Sequence, residues 1–413
     1  MPGSVVVGAE AAAKAADSGV DESTDDADDS GDDADDDADD DADDSAEGDS
    51  GEGDSDEGEV TGLTFTGDLP QNLLVISLDT TRRDQLGYFG GTSATPNLDA
   101  VLGESFVLMD HRSCSNWTAP SMTCAVASQM PLDKGWWPAA VHREDLGAVP
   151  SVIPEMPPRM MTLAQALKNT GYATGLTSAN GVFSSEGGSI GDGFLLEQLN
   201  KSVAGSVLMK RALSQNRTLR LLGTPWYQHV HFMDPHAPYD PPPGLASAEF
   251  AKLTSTTPWD FLVLAQVYAA IDAYYYVSEE AADAIEEHLL ALHRAELRSW
   301  DQAFGDLWTQ LEADGALEDT LVVFWTDHGE QFGERGQIGH GRALFAEENR
   351  AGAAFWARNL EPGEWSGPTW HQDLAPSIFD ALGHTSPPVW DGLVVGTAAD
   401  DRVGVAFNMV GNL

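Results

Sequence analysis

Apolar residues along this chain gather in short unbroken runs, separated by stretches in which they recur at helical spacing. "NLLVISL" (72–78) is such a run, rich in branched side chains and ending at Asp79. A continuous run, without apolar–polar alternation, predicts a strand buried on both faces, as in a parallel sheet. Residues 105–111, 172–179, 226–233 and 320–326 read the same way. Between them, "TPNLDAVLG" opens on a cap-like Thr95 and Pro96 and closes on Gly103, and "MTLAQALKNTG" closes on Gly171. In 293–312, Leu297, Trp300, Phe304, Leu307, Trp308 and Leu311 fall on one helical face, and "QDLAPSIFDALG" ends on Gly383. Strands alternating with helices predict an α/β fold: a doubly wound, mostly parallel central sheet with helices on both faces. Ligands of such sheets gather beyond the carboxyl ends of the strands.

Composition changes the picture at the amino end. Of 67 acidic residues, 25 lie in residues 1–60 beside a single lysine, Lys14, so the rest of the chain carries −22 of the net −46. That segment has almost no large apolar residues and repels itself, so residues 1–70 are expected to be a disordered acidic tail or linker. A solvated spacer is the plain reading, and cation binding by the carboxylates is the alternative. No basic cluster exists, which argues against nucleic acid as a partner. No run of about 18 apolar residues exists, so no membrane span is expected. The start lacks a basic, then apolar, leader pattern. An acidic spacer ahead of a folded domain nonetheless suits an extracytoplasmic setting, in the periplasm or at a cell surface. Cys114 and Cys124 could pair into a short loop or remain two buried thiols.

Candidate chemistry lies at the predicted strand ends. "VFWTDHGE" sets Asp327 beside His328, a carboxylate–imidazole pair of metal-ligand type, and Asp79 adds a second carboxylate. Taken singly, each could be a helix cap or turn residue. "HFMDPHAPYDPPP" supplies His231, Asp234 and His236 in a proline-stiffened loop, and "IGHGRALF" places His340 between glycines. "SCSNWTAPSMTC" puts Thr118 two residues before Pro120, as either a helix cap or a nucleophile.

The segments "NLLVISLDTTRRDQLGYFG", "TPNLDAV", "SNWTAPS", "HFMDPHAPY", "TDHGEQFGERGQIGHG" and "QDLAPSIFDALG" together resemble the sulfatase family of the alkaline-phosphatase superfamily, over about residues 71–392. The resemblance implies an alkaline-phosphatase-like catalytic domain and a divalent metal held by Asp79, Asp327 and His328, with the Thr118 oxygen as a further ligand. It places Arg82 near the nucleophile to hold an anionic group, and turns His236 and His340 toward the ester oxygens. Asp301 matches a family helix position without an assigned role. Relatives continue into a small antiparallel subdomain, so residues 393–413 read as the start of a truncated one. A carboxylate–imidazole–hydroxyl shell suits manganese or zinc better than calcium or magnesium, and the extra histidines leave room for a second metal.

One departure sharpens the chemistry. Family members that cleave sulfate esters generally convert the cysteine or serine of C/S-x-P-x-R to formylglycine. Here the motif is Thr118-Ala119-Pro120-Ser121-Met122, and neither cysteine has a proline two residues on. Threonine cannot give that aldehyde. Its hydroxyl, with a lowered pKa and a helix N-terminus behind it, can attack phosphorus and form an ester that water reopens. The expected function is therefore a metal-dependent hydrolase of phosphodiesters or phosphonate esters, acting on a small-molecule, glycan or lipid ester. Sulfate-ester hydrolysis, phospho-group transfer to an envelope lipid or glycan, and a non-catalytic surface binding protein are the alternatives. Trp136 and Trp137 could line a sugar or aryl pocket, and the aromatic-rich stretch 258–293 reads as a helical insert over the site.

Overall fold

The computed structural model describes residues 62–91, 94–131, 156–184, 189–201, 203–253, 274–397 and 404–408. The acidic tail, the Trp136–Trp137 segment and residues 254–273 of the aromatic stretch lie outside the described residues. The strands are β1 (Asn72–Leu78), β2 (Phe106–Arg112), β3 (Ala173–Ser178), β4 (Leu196–Leu199), β5 (Trp226–Phe232), β6 (Thr320–Thr326), β7 (Gln331–Phe332), β8 (Ile338–Gly339), β9 (Ala353–Trp356) and β10 (Gly363–Trp370). Eight of them form one sheet, in the order β10-β2-β9-β6-β1-β5-β3-β4, while β7 and β8 pair separately as a small hairpin. Every pairing in the large sheet is parallel except the two made by β9, which runs antiparallel to both β2 and β6.

The principal helices are α1 (Pro96–Leu102), α2 (Thr118–Ala127), α3 (Leu163–Asn169), α4 (Gly205–Arg220), α5 (Pro243–Phe250), α6 (Glu279–Ala313) and α7 (Leu374–Ala381). The unbroken apolar run of β1 is explained by its two faces. Leu73 and Val75 pack with residues of α2, α3 and α7, whereas Leu74, Ile76 and Leu78 pack with α1, α4 and α6. All five strands read from the sequence are present. The helical face expected in 293–312 is the second half of α6, with Trp300 fully buried against Phe232 and Phe304. From Glu279 the aromatic stretch is simply the first half of the same helix.

One boundary differs from expectation. The chain is built into the fold ahead of residue 71: Leu63 and Phe65 pack on the core, and Phe65 bridges Leu360. Residues 404–408 also pack inward, with buried Phe407 donating its N–H to Cys114 O at 2.9 Å.

Helix α1 corrects a cap assignment. Thr95 does not cap it; its hydroxyl donates to Asp99 Oδ1 at 2.9 Å. The exposed donors of the first turn are met instead by Asp301 of α6, which accepts from Asn97 N at 3.1 Å and Leu98 N at 2.9 Å. Gly305 permits the approach, since a Cβ there would lie 2.7 Å from the Asn97 side chain. Asp301 is thus an acid at a positive helix end, supplied by another helix. Asp301→Ala should lower unfolding free energy by about 2 kcal/mol in urea titrations, and an unchanged midpoint would show that the cap contributes nothing.

Candidate active site

The site begins with strand register. Leu78 of β1 lies opposite both Phe232 of β5 and Thr326 of β6, so the residues that follow, Asp79 and Asp327, leave the sheet side by side. Both are fully buried. Between them sits Thr80 at φ +50°, a strained conformation for a β-branched residue. Two hydrogen bonds hold it there: its N–H donates to Asp327 Oδ1 at 2.8 Å and its hydroxyl to Asp79 Oδ1 at 2.7 Å. Asn180, just past β3, donates to Asp79 Oδ2 at 2.5 Å.

Thr118 is the first residue of α2 and is half-buried. Trp117 occupies the cap position and no side chain caps the helix. The Thr118 hydroxyl points instead at the buried acids, 3.3 and 3.5 Å from the Asp79 oxygens and 3.4 Å from His328 Nε2. Between the two readings of this residue, geometry therefore removes the simple cap. Helix α2 is fixed at this spot by Ser121, whose hydroxyl donates to Asp327 O at 2.6 Å. A disulfide between Cys114 and Cys124 brackets Thr118 and settles the pairing that spacing left open.

Among the described residues, Asp79, Asp327 and His328 offer ligand atoms that all lie within 4.8 Å of one another. His328 Nε2 is 3.5 Å from Asp327 Oδ2 and 3.8 Å from Asp79 Oδ1. Two donors about 2.1 Å from a shared tetrahedral ion lie about 3.4 Å apart, so the spacing fits a cation. Asp327 Oδ2 is buried without a hydrogen-bond donor. Burial, then the Asp79 charge, push the Asp327 carboxyl well above the usual carboxylate range. His328 donates Nδ1–H to Gly329 O at 2.9 Å, which leaves the Nε2 lone pair facing the acids. Burial, then the neighbouring His340, push its pKa down to about 3, so it is a neutral ligand.

His236 and His340 meet edge to face at 5.3 Å, and His340 lies 4.6 Å from the His328 ring. Glu330 holds His340 Nδ1 at 2.9 Å. Two candidates are engaged by other groups. Arg82 was expected beside the nucleophile. Its guanidinium is instead taken by two carboxylates, Asp84 in a bidentate pair at 2.6 and 2.9 Å and Glu334. Asp84, two residues on, competes successfully for a cation that has little water left to it. Asp234 accepts from Gly205 N at 3.0 Å and so caps α4. Asn180 and Glu330 were not singled out from the sequence. Asn180 follows a predicted strand end, and Glu330 stands within "TDHGE", so both carried the positional signal.

Burial opposes protonation of His340, but the Glu330 charge and hydrogen bond outweigh it and raise the pKa above its ordinary 6.5. The protonated ring therefore adds stability that is complete below about pH 6.5 and is lost as pH rises through the higher folded pKa. Glu330→Gln in chelator-treated protein should move the His340 titration to lower pH by NMR and weaken that pH dependence; an unmoved titration would remove Glu330 as its cause.

A family model described as Sulfatase matches residues 71–384. Arylsulfatase A of Homo sapiens is 24% identical over 387 residues, covering 82% of this chain and 70% of its own. Among solved structures, phosphonate monoester hydrolase from Silicibacter pomeroyi superposes with a TM-score of 0.56 at 18% identity, covering 80% of this chain and 78% of that one. BT4656 in complex with its substrate D-glucosamine-2-N,6-O-disulfate gives 0.61 at 16% identity, covering 81% of each. At those identities the structural matches speak for the fold.

Proposed function

From the premise that this chain belongs to the sulfatase family, and is an ester hydrolase of that family, we propose that it cleaves phosphodiesters or phosphonate esters through a covalent Thr118 intermediate. One observation carries the reading: the Thr118 hydroxyl lies uncapped at the start of α2, within 3.3–3.5 Å of Asp79 and His328. Asp79, Asp327, His328 and the Thr118 oxygen would hold one divalent cation, manganese or zinc. When bound, it offsets the buried charge and lowers the pKa of the hydroxyl.

The remaining steps use the chain's own groups. Thr118 gives up its hydroxyl proton to solvent, and its Oγ1 bonds to phosphorus as the P–O bond to the leaving ester oxygen breaks. The N-terminus of α2 faces the anionic phosphoryl group. His340, held protonated by Glu330, gives its proton to the leaving oxygen, and His236 shares that role from the adjoining edge. Water then attacks the phosphothreonine in line and frees the enzyme. A sulfothreonine lacks the formylglycine hydrate's elimination route, which favours phosphorus. Sulfate-ester hydrolysis is the second reading, favoured by the similarity to arylsulfatase A. The substrate's organic part is a small molecule or glycan, and we place the enzyme outside the cytoplasm because the acidic amino-terminal stretch suits a spacer there.

Purified protein supplied with manganese or zinc should hydrolyse bis-(4-nitrophenyl) phosphate faster than 4-nitrophenyl sulfate. Thr118→Ala should lose about 10³-fold or more in kcat with an unchanged circular dichroism spectrum, and a chelator should abolish wild-type turnover reversibly. Full activity in Thr118→Ala would end the nucleophile assignment, and faster sulfate cleavage would reverse the preference for phosphorus.

A further inference from the structure

A line of fully buried polar side chains leads from the sheet interior to Asp79. Tyr227, His229 and His231 alternate along β5 on one face, and Ser77 of β1 lies opposite His231. Tyr227 Oη is 3.3 Å from His229 Nδ1. Ser77 Oγ is 2.8 Å from His229 Nε2 and 2.8 Å from His231 Nδ1. His231 Nε2 faces Asp79 Oδ2 at 3.4 Å. Around these groups stand Phe183, edge-on to both imidazoles at 5.3 Å, and Trp325, 5.2 Å from His229. A serine placed among metal-site strands would otherwise be ordinary packing, but here both of its neighbours are imidazoles.

Proton counting fixes the direction of this line. Each neutral imidazole has one N–H and one lone pair, and the serine hydroxyl has one proton to give. Tyr227 is fully buried and, among the described residues, its hydroxyl proton has one acceptor in reach, His229 Nδ1. His229 must then carry its proton on Nε2 and donate to Ser77. Ser77 has its own proton left for His231 Nδ1. His231 is therefore protonated on Nε2, the nitrogen that lies 3.4 Å from Asp79 Oδ2. The opposite direction would leave the tyrosine proton buried without an acceptor and would set a nitrogen lone pair against an anionic oxygen. Both ends reject it.

We propose that Tyr227, His229, Ser77 and His231 form a one-directional hydrogen-bond relay that turns the protonated Nε2 of His231 toward Asp79 and so positions that carboxylate for metal binding. This rests on the reading of Asp79 as a metal ligand. The four are positioning residues, since none lies among the groups assigned to touch substrate or metal. Such a group behind the carboxylate orients it before the ion binds.

The test uses the full chain, stripped of metal with a chelator and labelled with ring-¹⁵N histidine. Wild-type spectra should show His229 and His231 with Nε2 protonated and Nδ1 bare. In Ser77→Ala, His231 should lose that preference while His229, still served by Tyr227, keeps it. In Tyr227→Phe, His229 should lose it. Manganese titrations followed by electron paramagnetic resonance should show affinity reduced about tenfold in both variants. A wild-type His231 protonated on Nδ1, alone or together with Nε2, would overturn the direction. Wild-type manganese affinity in both variants would overturn the positioning role. If Ser77→Ala does not fold, the wild-type spectrum and Tyr227→Phe decide. A wild type that binds no manganese would refute the metal role of Asp79 and with it the positioning role, while the tautomer pattern would still decide the relay's direction.

Discussion

Two carboxylates buried side by side are the constraint around which this molecule is arranged. Asp79 and Asp327 leave adjacent parallel strands at one level, both fully buried from bulk solvent. Such a pair favours sharing one proton or binding one cation, because removing each charge from water costs several kcal/mol. Nearly every nearby feature serves those acids. Thr80 accepts a strained backbone to donate to both, Asn180 and His231 approach Asp79, and His328 directs its lone pair between them.

The same constraint explains the state of Thr118. A threonine opening a helix would ordinarily turn its hydroxyl back to cap the first turn. Trp117 occupies the cap position here, in extended backbone, and the hydroxyl is left to the acids. The disulfide behind it and the Ser121–Asp327 bond in front fix the helix so that this orientation is held from both sides. The hydroxyl that opens α2 therefore faces Asp79 and His328 rather than its own helix.

The parts legible in the sequence were those that depend on local pattern. Apolar runs gave five strands, and their ends gave Asp79, Asp327 and His328, because in a parallel sheet the end of a strand is also a place in space. What stayed hidden depends on partners far along the chain. Arg82 read as a cation for an anionic group, and its pair with Glu334, 252 positions away, left no local signal. Asp301 looked idle, yet its partners on α1 lie 203 and 204 positions before it. Strand β9, four residues long and antiparallel, has too few positions for its periodicity to register. Ser77, inside the apolar run of β1, was not singled out, and its two imidazole neighbours appear only in the register with β5.

Strand order carries a temporal implication. Strand β2 pairs only with β9 and β10 in the large sheet, which follow it by about 240 residues, and the loop beyond β2 is secured by Phe407. On a ribosome, the half of the sheet holding β1, β5 and β3 has all its members available while β2 still waits for its neighbours. The threonine-bearing loop would then lock after that half of the sheet, because the partners of β2 and of its loop come only with β9, β10 and Phe407.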